Sequence, residues 1–229
     1  MVSIMLSEYD WVFYIAKGIG VTLQYTILPI ILGLLLGTLL VLMKMSSSKI
    51  LNGMASSYIS VIRGTPLLLQ LSVVYFAIPG LTGYNISAFA AGVIAFSCNS
   101  AAYIAEIIRA GINAVDKGQF EAAYALGVPH KRMMLDIILP QAIRNILPSL
   151  VNEGIALIKE SSIIAIIGEG DLMRRAQVVS AEQYTYMAPL LVAAACYYLL
   201  VMILSQLGQK LERHLHAKYA VLFANNTVN

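Results

Sequence analysis

Long apolar stretches alternate with short polar intervals along the chain, over about 19–43, 57–79, 86–108, 145–167 and 188–207. A helix rises 1.5 Å per residue, so about 20 apolar residues cross roughly 30 Å of hydrocarbon. The pattern predicts an all-α chain with five transmembrane helices. One interval is longer than the rest: residues 109–144 carry Arg109, Lys117, Lys131, Arg132 and Arg144. Within it Lys117 to Leu126 reads as a short helix, Gly127 as its stop, and Pro129 as the first turn of a second short helix toward Ile138. A helix-turn-helix on one face of the membrane is expected there.

Composition agrees with insertion. Of 229 residues, 59% are hydrophobic and 12% charged, and the mean hydropathy is +0.77. A water-soluble core of this size cannot bury so much apolar surface. The basic residues sort by side. Lys44 and Lys49, the 109–144 group, and Lys210, Arg213 and Lys218 follow the first, third and fifth spans, whereas Lys17, Arg174 and Arg175 share the other side with Glu8, Asp10, Glu169, Asp171 and Glu182. The positive-inside rule then sets the N-terminus outside and the C-terminus in the cytoplasm, and makes 109–144 a cytoplasmic loop. Residues 1–17 read as an external segment, 18–208 as the transmembrane domain and 209–229 as a cytoplasmic tail. The net charge of +3 is spread through loops, so nucleic acid is not an expected partner. Cys98 and Cys196 fall inside apolar segments, where they act as small hydrophobes. No basic region leads into a cleavable apolar core at the N-terminus, so the first span serves as its own insertion signal.

Several polar groups interrupt the spans: Arg63-Gly64-Thr65-Pro66 and Gln70 in the second, Ser97, Asn99 and Ser100 in the third, and Glu153, Lys159 and Glu160 in the fourth. An ionisable side chain in a bilayer costs at least about 2.5 kcal/mol, so such groups face a protein interior or a wet cavity. Counting inward from Arg144 and Arg109 puts Glu153 roughly 13 Å and Asn99 roughly 15 Å deep, on one level. Glu153 and Glu160, seven residues apart, share a helix face. Pro66 cannot donate a backbone hydrogen bond and Gly64 loosens the chain, so the second span is expected to break there. Such a break either exposes helix ends for a ligand, as in transporters, or is a packing kink with Arg63 reaching the cytoplasmic interface.

The spacing Glu121-Ala122-Ala123, Gly127 and Ile137-Ile138-Leu139-Pro140 resembles the EAA signature of permease subunits of bacterial ABC importers. The segments Arg63-Gly64-Thr65-Pro66-Leu67-Leu68-Leu69-Gln70, Ala102 to Ile112, Asn152-Glu153 and Leu157 to Ser162 are similar to those of the polar amino acid branch. The resemblance implies the transmembrane domain of a type I importer, of the MetI-like kind. Two permease subunits, identical or related, would form the path, two ATPase subunits would bind below, and an external binding protein would deliver substrate. It assigns Glu121, Ala122, Ala123 and Gly127 to a coupling helix that docks on the ATPase. ATP and magnesium would belong to that partner, since this chain has no G-x-x-x-x-G-K-[ST] loop. The chain is not expected to be an enzyme, or to bind a cofactor itself.

An amino acid is a zwitterion, and a site in the membrane must satisfy both its charges. Arg63, Thr65 and the broken backbone are candidates for its carboxylate; Asn99 and Gln70 can bond either group. Glu153 suits a cation, either the α-ammonium or a basic side chain. In the family the Asn-Glu pair resembles permeases for basic amino acids, arginine, histidine or lysine, with glutamine, cystine or another polar amino acid as the alternative. Glu153 has a structural reading too, a salt bridge with Arg63 or Lys159. Arg174 and Arg175 with Glu169, Asp171 and Glu182 form either a contact for the binding protein or a solvated connector. Gly33-x-x-x-Gly37 can allow close helix packing. His130, His214 and His216 lack the further ligands of a metal site. Tyr184, Tyr186, Tyr197 and Tyr198 suit an interfacial belt. An ATP-independent carrier or channel also tolerates intramembrane Arg, Asn and Glu, but such carriers commonly show two related halves, and neither these nor a membrane enzyme would explain the 121–140 signature.

Overall fold

The computed structural model describes the backbone of residues 10–226 and the side chains of residues 10–214. Glu8 and the side chains of His216 and Lys218 therefore lie outside the described residues. The described chain is helical throughout. In order it runs α1 (Asp10–Ala16), α2 (Ile19–Lys44), α3 (Lys49–Arg63), α4 (Leu67–Ser72), α5 (Ile78–Thr82), α6 (Ala88–Asn113), α7 (Lys117–Ala125), α8 (His130–Arg132), α9 (Leu139–Glu160), α10 (Leu172–Gln183) and α11 (Met187–Asn226). Two π-helical stretches, Val73–Ala77 and Met133–Ile138, join α4 to α5 and α8 to α9 without a break. Each ends within two residues of a proline, Pro79 or Pro140. Widening the helix there lets it continue past a residue with no N–H to give.

The spine is the parallel pair α2 and α6. Contacts advance together along both helices: Tyr25 donates to the Ala88 carbonyl at 3.4 Å, Gly33 lies against Ser100, Gly37 against Ala101 and Ile104, and Lys44 meets Glu106. The two glycines make this possible. A Cβ at Gly33 would stand 3.0 Å from the Ser100 side chain, and one at Gly37 2.9 Å from the Ala101 carbonyl oxygen. The Gly33-x-x-x-Gly37 spacing is thus the close-packing face itself. α9 runs antiparallel to α6, with Gly111 under Ile146 at one end and Ser100 bonded to Glu153 further along. α11 is antiparallel to α9, where Gly154 faces Leu204 and Gly208 faces Val151.

Three helical runs are long and apolar enough to cross a membrane: Asp10–Lys44, Ala88–Asn113 and Met187–His214. A fourth is the pair Lys49–Arg63 and Leu67–Thr82, bent by 102°. The expected span 57–79 is therefore not one straight rod. α9, with Arg144, Asn145, Asn152 and Glu153 along it, is not in that set. It also begins earlier than expected, because the helix after Pro129 runs on from His130 through Glu160 instead of ending near Ile138. Leu35, Leu39, Leu42 and Ile203 are exposed on the outside of α2 and α11, where lipid replaces water as the solvent for them.

The connector at 168–187 is not a simple loop. α10 buries Leu172, Ala176 and Val179 with Ile15 of α1 and Ala193 of α11. Backbone contact is close enough that a Cβ on Gly18 would sit 2.6 Å from the Asp171 carbonyl carbon. α11 likewise continues past the expected end at 207.

Replacing Gly37 with Leu should force α2 from α6, costing about 1–3 kcal/mol by overpacking; Gly20→Ala, where a Cβ meets nothing within 4 Å, should be silent. Thermal unfolding in detergent, followed by size-exclusion chromatography, reads both.

Candidate functional site

The break between α3 and α4 is built around one side chain. Residues 64–66 leave carbonyls of the last turn of α3 without helical donors. Gln70, one turn into α4, turns its amide back: Nε2 donates to the Ile62 carbonyl at 2.8 Å, to the Thr65 carbonyl at 3.1 Å and to Thr65 Oγ1 at 3.0 Å. Its Oε1 accepts from Asn99 Nδ2 of α6 at 3.0 Å. Thr65 Oγ1 in turn donates to the Val61 carbonyl at 2.9 Å. Thr65, Gln70 and Asn99 are thus brought together, as the sequence predicts, but Gln70 is engaged at both ends of its amide. It shapes the break and has little left for a ligand.

Glu153 meets α6 one residue further on, at Ser100. Ser100 Oγ, buried next to Asn99, donates to its Oε1 at 2.9 Å, so Asn99 and Glu153 share a level as their depths predict. The salt bridge to Arg63 or Lys159 does not form; among the described residues the only direct hydrogen bond to the carboxylate is from that neutral hydroxyl. Ser97 Oγ, also buried on α6, has no hydrogen-bond partner among the described residues.

Arg63 goes elsewhere. The guanidinium stacks on the Tyr103 ring at 5.2 Å and comes within 3.8 Å of Glu106 Oε2. Glu106 also binds Lys44 Nζ at 2.6 Å and Arg109 Nη2 at 2.7 Å. One carboxylate gathers the C-terminal ends of α2, α3 and α6. Sequence reasoning passed over Glu106; the available signal was its i,i+3 spacing to Arg109. The five predicted residues therefore fall into a linked trio, a separate carboxylate, and an arginine held toward the basic end of the bundle.

The polar hairpin is anchored from inside. Asp116 caps α7, its Oδ1 accepting from the Gly118 N–H at 2.7 Å. At the other end Val128 N–H reaches the Ala123 carbonyl and Gly127 N–H the Tyr124 carbonyl, each at 3.0 Å, a Schellman closure that sets Gly127 at φ +69°. Ala123 is buried with Val115, Met133, Ile138 and Ala142, so it seats the hairpin on the bundle and is not part of an outer face. Glu121, Ala122 and Ala125 are exposed, as are Tyr124 and Leu126, the latter 81% so. Tyr124 and Leu126 thus form an exposed apolar patch beside Glu121 on an otherwise polar segment.

At the opposite end Asp171 is fully buried. Its carboxylate accepts from the Arg174 N–H and from Tyr197 Oη, both at 2.8 Å. Burial raises its protonation range, and the Arg174 N–H opposes that rise. Arg175 donates from Nε to the Gly170 carbonyl at 2.8 Å and stacks on Tyr14 at 4.8 Å, tying α1 to α10. Of the charged residues expected to meet a partner here, Arg175 and Asp171 are structural; Arg174 and Glu182 are exposed.

Residues 29–216 match the family of binding-protein-dependent transport system inner membrane components. The chain is 54% identical over 213 residues to a protein of Rickettsia conorii named as a glutamine transport system permease, GlnP, covering 93% of this chain and 98% of that one. It is 52% identical over 202 residues to the arginine transport system permease ArtQ of Bacillus subtilis, covering 88% and 92%. A solved amino acid ABC transporter, crystallised with histidines, aligns with a TM-score of 0.87 at 47% identity over 93% of this chain and 100% of that one. The methionine ABC transporter MetNI shares the fold, with a TM-score of 0.72 at 18% identity over 92% of this chain and 99% of that one. The chain therefore belongs to the binding-protein-dependent inner membrane components, and it is a multi-pass permease subunit of an amino acid ABC importer.

Proposed function

We propose that this permease, paired with a second permease subunit, forms the path for a basic amino acid, and that separate ATPase subunits hydrolyse the ATP. The observation that carries the reading is Glu153, a half-buried carboxylate in the middle of α9 whose direct partner is the neutral Ser100 hydroxyl. A carboxylate so placed lacks the cation that normally accompanies it. Arginine, histidine or lysine brings one. Arg63, Thr65 and Asn99 would take the α-carboxylate, with Gln70 holding the break in shape. Glutamine is the second reading, supported by the name of the Rickettsia conorii relative; its α-ammonium would then face Glu153.

In this reading α9 and the 3-10 stretch Ser161–Ile167 make the fourth of five crossings, and Lys44, Arg109 and Arg144 mark the cytoplasmic side. The hairpin projects from that side. Glu121, Ala122, Tyr124, Ala125 and Leu126 would enter a groove on the ATPase, and Gly127 sets the angle at which they are presented. A loaded binding protein would meet the opposite face, where Arg174 and Glu182 are exposed. ATP binding and substrate delivery then bias the same equilibrium between inward-open and outward-open states.

In liposomes holding the complete transporter, Glu153→Gln is expected to lower arginine uptake efficiency about 10- to 100-fold, the worth of a hydrogen bond to a charged group. Unchanged uptake of every basic amino acid would remove Glu153 as counter-ion, and equal losses for arginine and glutamine would assign it to the α-ammonium. For the hairpin, Gly127→Val should uncouple ATP hydrolysis from uptake or block assembly, because a β-branched residue at φ +69° is strained by at least about 1–2 kcal/mol. Gly127→Asn, tolerated in that region, should retain both. Parallel uptake and phosphate-release assays on copurified complexes decide it, and wild-type behaviour of the valine variant counts against the coupling role.

A further inference from the structure

Arg63 is the least secured of the three cations around Glu106. Lys44 and Arg109 each reach a carboxylate oxygen within 2.7 Å, whereas Arg63 stops at 3.8 Å. Three cations around one carboxylate leave positive charge in excess, and Glu106 stays paired if Arg63 departs. The Arg63 side chain is also 44% exposed, against 15% for Glu106. What holds it is the face of Tyr103, a contact with no directional hydrogen bond to break.

Geometry gives the side chain a second destination. Asn99, Tyr103 and Glu106 follow one another at helical spacing on one face of α6, so Tyr103 and Glu106 lie about 6 Å and about 10 Å along the axis from Asn99. Arg63 itself is rooted at the break, the last residue of α3, one position after Ile62, whose carbonyl is held by Gln70. A long flexible side chain anchored at that corner can point toward Glu106 or toward the Thr65–Gln70–Asn99 trio. We propose that Tyr103 and Glu106 hold the Arg63 guanidinium in a waiting position, from which the α-carboxylate of the cargo draws it. Both are positioning residues. They set how readily the permease takes and gives up a carboxylate, because cargo and Glu106 compete for one cation. The proposal rests on Arg63 as the carboxylate receiver.

Tyr103 is the place to test it, since its replacement leaves Lys44 and Arg109 on Glu106. The measurement is equilibrium binding of radiolabelled arginine, then of glutamine, to the complete permease–ATPase complex without binding protein. Tyr103→Leu should tighten binding about two- to five-fold, the factor for an exposed cation–π contact, and slow turnover in reconstituted uptake. Tyr103→Phe, which keeps the ring, should match the parent, and Tyr103→Trp should weaken binding. Unchanged affinity in both Tyr103→Leu and Tyr103→Trp overturns the proposal, as does Tyr103→Phe behaving like Tyr103→Leu; if the leucine variant fails to assemble, the tryptophan variant alone decides by the same criterion. Arg63→Gln separates the levels. Unaltered affinity there overturns the carboxylate reading itself; lost affinity with silent Tyr103 variants overturns only the waiting position.

Discussion

A chain surrounded by lipid has no water to satisfy a carbonyl that a broken helix leaves bare, and every departure from the helical ladder must be met from within the protein. The break at Gly64-Thr65-Pro66 is the sharpest departure here, a turn of 102° between α3 and α4. Gln70 meets it by bonding back across the gap, and Asn99 fixes Gln70 from the spine of the bundle. The corner therefore stands at one height on α6, with Arg63 rooted at it. Everything in the candidate site is measured from that corner.

Two carboxylates on this scaffold sit in opposite situations. Glu106 is surrounded by cations and joins three helix ends, so it is a structural anchor near the basic end of the bundle. Glu153, among the described residues, is bonded only to the Ser100 hydroxyl. The first stabilises the permease by being satisfied. Among the described residues the second has no cation on it, and Arg63 is held toward Glu106 by Tyr103.

The hairpin solves a different problem, that of holding a short surface element in shape. A helix of nine residues is marginal alone. Asp116 caps one end, the Gly127 closure secures the other, and Ala123 packs into the cluster formed by Met133, Ile138 and Ala142. Because α8 continues through the π stretch into α9, the hairpin is continuous with the helix that carries Glu153.

The amino-acid pattern alone determined the membrane class, the helix-breaking corner and the hairpin with its glycine stop. Each of these follows from local chemistry: apolar length, a proline without a donor, a residue free to adopt positive φ. It also put Asn99 and Glu153 on one level, since rise per residue is a one-dimensional quantity. Helix partners are not. That Gln70 would close the break, that Glu106 would gather Lys44, Arg63 and Arg109, that Ala123 would turn inward while Ala122 turned out, and that Arg175 would tie α1 to α10 all depend on which helix faces come together. Only the tertiary structure decided those, because side chains 29 to 161 residues apart meet through packing that no local spacing records.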